Sequence, residues 1–225
     1  MTGSPTSPTP PARPGPTRTV IHLMRHGEVH NPSGVLYGRL PGYHLSELGF
    51  AMADTVAAHL ESSDLTLVLA SPLERAQQTA APIAERHHLP VETDARLIES
   101  ANHFQGHAFT KVSLLDPRLW PKVANVTKPS WGEPYEAIAG RMLAAIADAR
   151  TAASGHEALL VSHQLPIWTV RNRLQERRLW HDPRKRECTL ASLTSLYYVD
   201  DELDSIAYSE PAGALLARAS KSVGA

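Results

Sequence analysis

Five residues stand out for the chemistry their types allow. Arg25 and His26 follow the apolar run Val20–Met24, with Gly27 and Glu28 directly after. Arg75 lies one helical turn beyond Ser71, which itself closes a second apolar run. Glu99 sits in "RLIESANHFQG", and His163 and Gln164 follow "EALLVS". Two guanidiniums offer forks of donors that match a tetrahedral dianion. A neutral imidazole is a nucleophile able to accept a phosphoryl group. A second imidazole, when protonated, can steady oxygens on which charge develops. A carboxyl group can hand a proton to a leaving oxygen and later take one from water. Glycine after the first histidine is expected to turn the chain sharply and bring its N–H toward a ligand.

These residues need elements to bring them together. "RTVIHLM" (18–24), "LTLVLA" (65–70) and "EALLVS" (157–162) read as buried strands, and "VET" (91–93) as a brief one. Helices are expected over 45–60 with Ser46 as N-cap, and over 71–87 with Ser71 as N-cap and Pro72 at the first helical position. Two more are expected over 132–153 and 165–179, and the chain should close with two strands around an acidic turn. Strands alternating with helices predict a three-layer α/β/α fold with a mainly parallel central sheet. In such a sheet ligands bind beyond the carboxyl ends of the strands, where the five residues fall.

Composition sets outer bounds. The chain has 225 residues, 42% hydrophobic and 20% charged, enough for one sizeable core. A formal net charge of −1 argues against a nucleic-acid coat. Residues 1–17 are rich in Pro, Thr and Ser and read as a disordered tail. Residues 18–225 read as one domain, with an irregular insertion at about 100–130. A single cysteine, Cys188, points to a reducing cytoplasm. No secretory leader is evident, and no apolar run reaches the ~20 residues that span a bilayer. No histidine pair has a metal-ligand spacing, so neither a metal nor a cofactor is expected.

The motifs in order resemble the histidine phosphatase superfamily, in its phosphoglycerate-mutase-like branch. The matching segments are "LMRHGE" (23–28), "LASPLERAQQTA" (69–80), "LIES" (97–100) and "LLVSHQ" (159–164), with "LSELG" (45–49) and "GEPYEAIAGRM" (132–142) in support. The resemblance implies that His26 becomes phosphohistidine, that Arg25, Arg75 and His163 line the phosphate pocket, and that Glu99 is the proton donor. Glu92 and Glu133 are competing carboxylates for that last role. Asn31 is a further phosphate contact on this basis, although it stands one position earlier than is usual. Gln164 replaces the common glycine, so its backbone N–H would serve.

The activity implied is metal-independent hydrolysis of a small phosphomonoester, of the histidine acid phosphatase type. The alternatives are a cofactor-dependent phosphoglycerate mutase and a catalytically silent phosphate- or phosphoprotein-binding module. The run "RNRLQERRLWHDPRKRE" (171–187) is read as a solvated helix and loop, and Trp168 and Trp180 as core or rim packing. Nucleic-acid and membrane partners are not expected, and the C-terminal strands offer an edge suited to homodimerisation.

Overall fold

The computed structural model describes residues 15–102, 105–106 and 132–219. The expected tail and insertion therefore lie almost wholly outside the described residues. Six strands form one sheet: β1 (Arg18–Arg25), β2 (Leu65–Ala70), β3 (Glu92–Thr93), β4 (Glu157–Ser162), β5 (Leu193–Val199) and β6 (Glu202–Ser209). Their order is β3-β2-β4-β1-β5-β6. The first four run parallel, while β5 is antiparallel to β1 and to β6. The helices are α1 (Glu47–His59), α2 (Glu74–Arg86), α3 (Tyr135–Ala152) and α4 (Gln164–Leu174).

Side chains alternate across a strand, so each central strand feeds two cores. Ile21 and Leu23 of β1 and Ala158 and Leu160 of β4 pack with Ile138, Met142 and Ile146 of α3 and with Ile167 and Val170 of α4. Met24, Leu159 and Val161 face the other way, onto Met52 and Val56 of α1 and Ala76, Ala80 and Ile83 of α2. That is the three-layer arrangement expected from the alternation of elements. No helix among the described residues is long and apolar enough to cross a membrane.

Two helix boundaries differ from expectation for reasons visible in the structure. Helix α2 starts at Glu74, with Leu73 in extended conformation at the N-cap. The Ser71 hydroxyl bonds the His163 ring at 2.8 Å, and only a long contact of 3.4 Å reaches it from the Leu73 N–H. Helix α4 ends at Leu174, five residues early. Glu176 adopts a left-handed backbone (φ 54°), and the Arg177 N–H returns to the Asn172 carbonyl. This closing turn satisfies a terminal carbonyl and directs the chain away from the helix axis.

Candidate active site

The parallel register aligns the three motif-bearing strand ends. Arg25 pairs with Ser162, and Ala70 with Val161. Beyond the ladder the His26 N–H reaches the Ser162 carbonyl at 3.2 Å, and the Ser71 N–H reaches Val161 at 2.9 Å. His26 and His163 thereby meet edge to face, with ring centroids 5.1 Å apart. Arg75 arrives from the first turn of α2, where its Nη2 donates to the Gly38 carbonyl at 2.6 Å and its guanidinium lies 4.7 Å from the centre of the Tyr37 ring.

His26 and Arg75 are fully buried, as is His163, and Glu99 is 4% exposed. The His26 Nδ1 lies 2.8 Å from the Gly27 carbonyl, which can only accept, so Nδ1 carries the proton. Its Nε2 then holds a bare lone pair, buried and without a hydrogen-bond partner. Arg25 Nε, Arg75 Nε and Nη1, and Glu99 Oε2 share that condition. Buried polar atoms are usually satisfied by protein or by ordered water, so partnerless atoms on four residues of one cluster mark a polar site that water or a polar ligand can fill.

Burial, then the fields of Arg75 and Arg25, hold the His26 pKa well below its ordinary value of 6.5. Burial does the same for His163, followed by Arg75 and His26. Both rings are therefore neutral at neutral pH. The protonated second imidazole required for steadying oxygens needs a bound anion to bring the proton in.

The carboxylates separate clearly. Glu133 is gripped through both oxygens by Arg39 and Arg141, and Glu92 is exposed on the edge strand β3. Glu99 Oε1 accepts the Ser100 N–H at 2.7 Å and leaves Oε2 free. Its backbone is held by Arg39, whose Nε donates to the Glu99 carbonyl at 2.6 Å.

Other candidates are placed differently. The Asn31 side chain braces its own loop, donating one N–H to the Val35 carbonyl and accepting the Val35 N–H. Gln164 opens α4 behind His163, and no side chain caps that helix, so its first-turn N–H groups face the strand-end cluster unclaimed by a cap. The Gln164 side chain reaches instead to the Cys188 carbonyl at 3.2 Å. Gly27 does not aim its N–H at a ligand. It donates to the Thr79 hydroxyl at 3.0 Å, and a Cβ there would stand 2.6 Å from the Gly49 carbonyl oxygen. Glycine is required because α1 passes directly over it.

The 171–187 run is solvated only in part. Arg171 is buried against Trp168 and Tyr208, and Arg186 turns into the cavity beside Glu99. Trp168 is buried, whereas Trp180 is 49% exposed. Tyr37, Arg39 and Arg186 were not singled out by sequence, since none lies at a strand end. Among the described residues no group of three or more His, Cys, Asp or Glu side chains is placed to hold a metal ion.

The family model of the histidine phosphatase superfamily (branch 1) matches residues 21–210. An uncharacterized protein of Mycobacterium tuberculosis (strain ATCC 25618 / H37Rv), Rv0525, is 56% identical over 199 residues, covering 88% of this chain and 98% of its own. A probable phosphoglycerate mutase, GpmB, of Yersinia pestis (strain Pestoides F) is 29% identical over 182 residues, covering 76% and 82%. The solved structure of mycobacterial glucosyl-3-phosphoglycerate phosphatase Rv2419c superposes with a TM-score of 0.68 at 26% identity, over 85% of this chain and 96% of that one.

Proposed function

Because the chain belongs to branch 1 of the histidine phosphatase superfamily, we propose that it is a metal-independent phosphomonoesterase acting on a small phosphate ester through a phosphohistidine on His26. The observation that carries this is the His26 ring: its Nδ1 proton is fixed on the Gly27 carbonyl, and its Nε2 lone pair is buried without a partner. Such an atom is a desolvated, pre-aimed nucleophile. Arg25 and Arg75 supply unclaimed N–H groups for the phosphoryl oxygens. His163 borders that pocket, with its Nε2 on the Ser71 hydroxyl at 2.8 Å and its Nδ1 3.4 Å from Arg75 Nη2, and the first-turn N–H of Gln164 adds a backbone donor.

In the first step Nε2 bonds to phosphorus, the phosphorus–oxygen ester bond breaks, and the Glu99 carboxyl protonates the departing oxygen. In the second, water gives a proton to the Glu99 carboxylate and bonds to phosphorus. The phosphorus–nitrogen bond then breaks, releasing inorganic phosphate and neutral His26. No protein group changes its net protonation over the cycle. Asn31 is given no step in this scheme; its amide braces the loop through Val35, and its second N–H is the donor left for a phosphate oxygen.

The lowered pKa of His26 keeps the ring unprotonated, and so nucleophilic, as pH falls below 6.5, which suits turnover at mildly acid pH. The named phosphatase among the structural neighbours supports hydrolysis, and the probable mutase among the relatives supports transfer as a second reading. Cys188 is buried with its thiol pushed up to about 11, which makes it an inert residue. The test is turnover of p-nitrophenyl phosphate in excess EDTA. Activity should persist with chelator and fall to background in His26→Ala. A chelator-sensitive rate, or an active His26→Ala protein with native circular dichroism, would refute the scheme.

A further inference from the structure

We infer that Arg186 is a second anion-binding point in the cavity beside Glu99, so that the substrate is a phosphomonoester whose leaving group itself carries a carboxylate or a further phosphate. The inference rests on the phosphatase reading for what fills the other end of the site.

Arg186 lies in a run of charge, "DPRKRE", but its surroundings differ from those of its neighbours. Arg184 is exposed and forks onto Asp182. Arg186 is half-buried and lines the same cavity as Glu99, Ser100, Glu133 and Tyr135. Its guanidinium is held in place from behind. Nε donates to His181 Nε2 at 2.8 Å, which can accept because His181 Nδ1 is 2.6 Å from the Leu179 carbonyl and carries the ring proton. The His181 ring is wedged between Tyr135 and Trp168, with centroids 5.7 and 5.9 Å away. Nη1 makes a longer contact, 3.4 Å, to Gln164 Oε1.

No carboxylate among the described residues pairs with this guanidinium. Glu133, in the same wall, is already committed to Arg39 and Arg141. Glu99 acts on the Arg186 charge from a distance, but in the proposed chemistry it must hold a proton as the ester binds. A desolvated, oriented cation without a counter-ion is costly to keep. Its planar fork suits a carboxylate or a phosphate and gains from ordering neither. The Gln164 side chain then has a role its position did not announce. Its Oε1 meets Arg186, while its Nε2 meets the Cys188 carbonyl that also accepts Arg25 Nη1 at 2.8 Å. Gln164 and Cys188 thus tie the second anion point to the phosphate pocket.

The test compares three esters of one chain length: glycerol 3-phosphate, 3-phosphoglycerate and 1,3-propanediol bisphosphate. A charge-assisted contact implies that one of the doubly anionic esters exceeds glycerol 3-phosphate in kcat/KM by about tenfold or more. Which of them does so distinguishes carboxylate from phosphate. In Arg186→Gln that ratio should collapse toward one, with Arg186→Lys between, and the ratio corrects for any general loss of active protein. A wild-type ratio near one, or a ratio unchanged in Arg186→Gln, overturns the inference. Calorimetric binding of the same esters to His26→Ala should give the same ranking. If no ester is turned over, the phosphatase reading fails while that binding ranking still decides the role of Arg186.

Discussion

Glu99 is the residue whose assignment rests most on three-dimensional placement. Its sequence neighbourhood offered other carboxylates, and only structure shows Glu133 bound in two ion pairs while Glu99 Oε2 stays free. A proton donor matters most when the leaving oxygen is basic. Glu99→Gln keeps the size of the side chain and its acceptor for the Ser100 N–H. In that variant kcat/KM for an alkyl phosphate should fall by about 10²- to 10⁴-fold. For p-nitrophenyl phosphate, with its stable phenolate, the fall should be far smaller. Equal losses on both esters would remove the leaving-group role. That His26, Arg75 and His163 would come together was legible in the sequence, because each follows an apolar run or its first helical turn, where a parallel sheet gathers residues. Arg186 was not, for it lies in an aperiodic charged run, and its burial comes from His181, Tyr135 and Trp168, which meet only in the fold.

At the scale of elements, apolar runs predicted the strands well, because β1, β2 and β4 are buried on both faces and need no alternation. Helix ends were less readable where side chains had other partners, as the Ser71 hydroxyl has in His163. The role of Gly27 was likewise hidden in the sequence, since it depends on how closely α1 crosses the loop after β1. A Cβ at Gly27 meets the Gly49 carbonyl at 2.6 Å, and one at Gly49 meets the Glu28 carbonyl at 2.0 Å. Both obstacles are backbone, which can yield only by moving an element. Gly27→Ala should therefore cost about 1–3 kcal/mol, read as a lower urea midpoint at unchanged slope. It should also lower kcat, because the Gly27 carbonyl fixes the His26 tautomer. A variant with the wild-type midpoint would show that α1 can shift freely and that the close approach is not required.

For the molecule as a whole, the site carries a stability cost that pH exposes. His26 and His163 are buried as neutral rings beside Arg75, with Arg25 also acting on both and Arg141 on His163. Their folded pKa values lie well below 6.5, the value they regain when the chain unfolds. Above pH 6.5 neither state binds the extra protons, and the native stability is fully present. Below it the unfolded chain takes up protons that the folded chain refuses, so stability falls as pH drops toward the folded values. Each ring can contribute a slope of up to about 1.4 kcal/mol per pH unit in that window. The depressed carboxylates Asp94 and Glu157 act in the same direction but at lower pH, near and below their ordinary values of 3.8 and 4.5. The interval from pH 6.5 to 5 therefore isolates the histidines, the half-buried His181 with its lowered pKa adding to the two site rings. Urea unfolding across it should show steadily falling stability, and His163→Gln should flatten that fall by removing one titrating ring. A His163→Gln profile parallel to the wild type would mean that His163 titrates alike in both states, contrary to its burial beside Arg75.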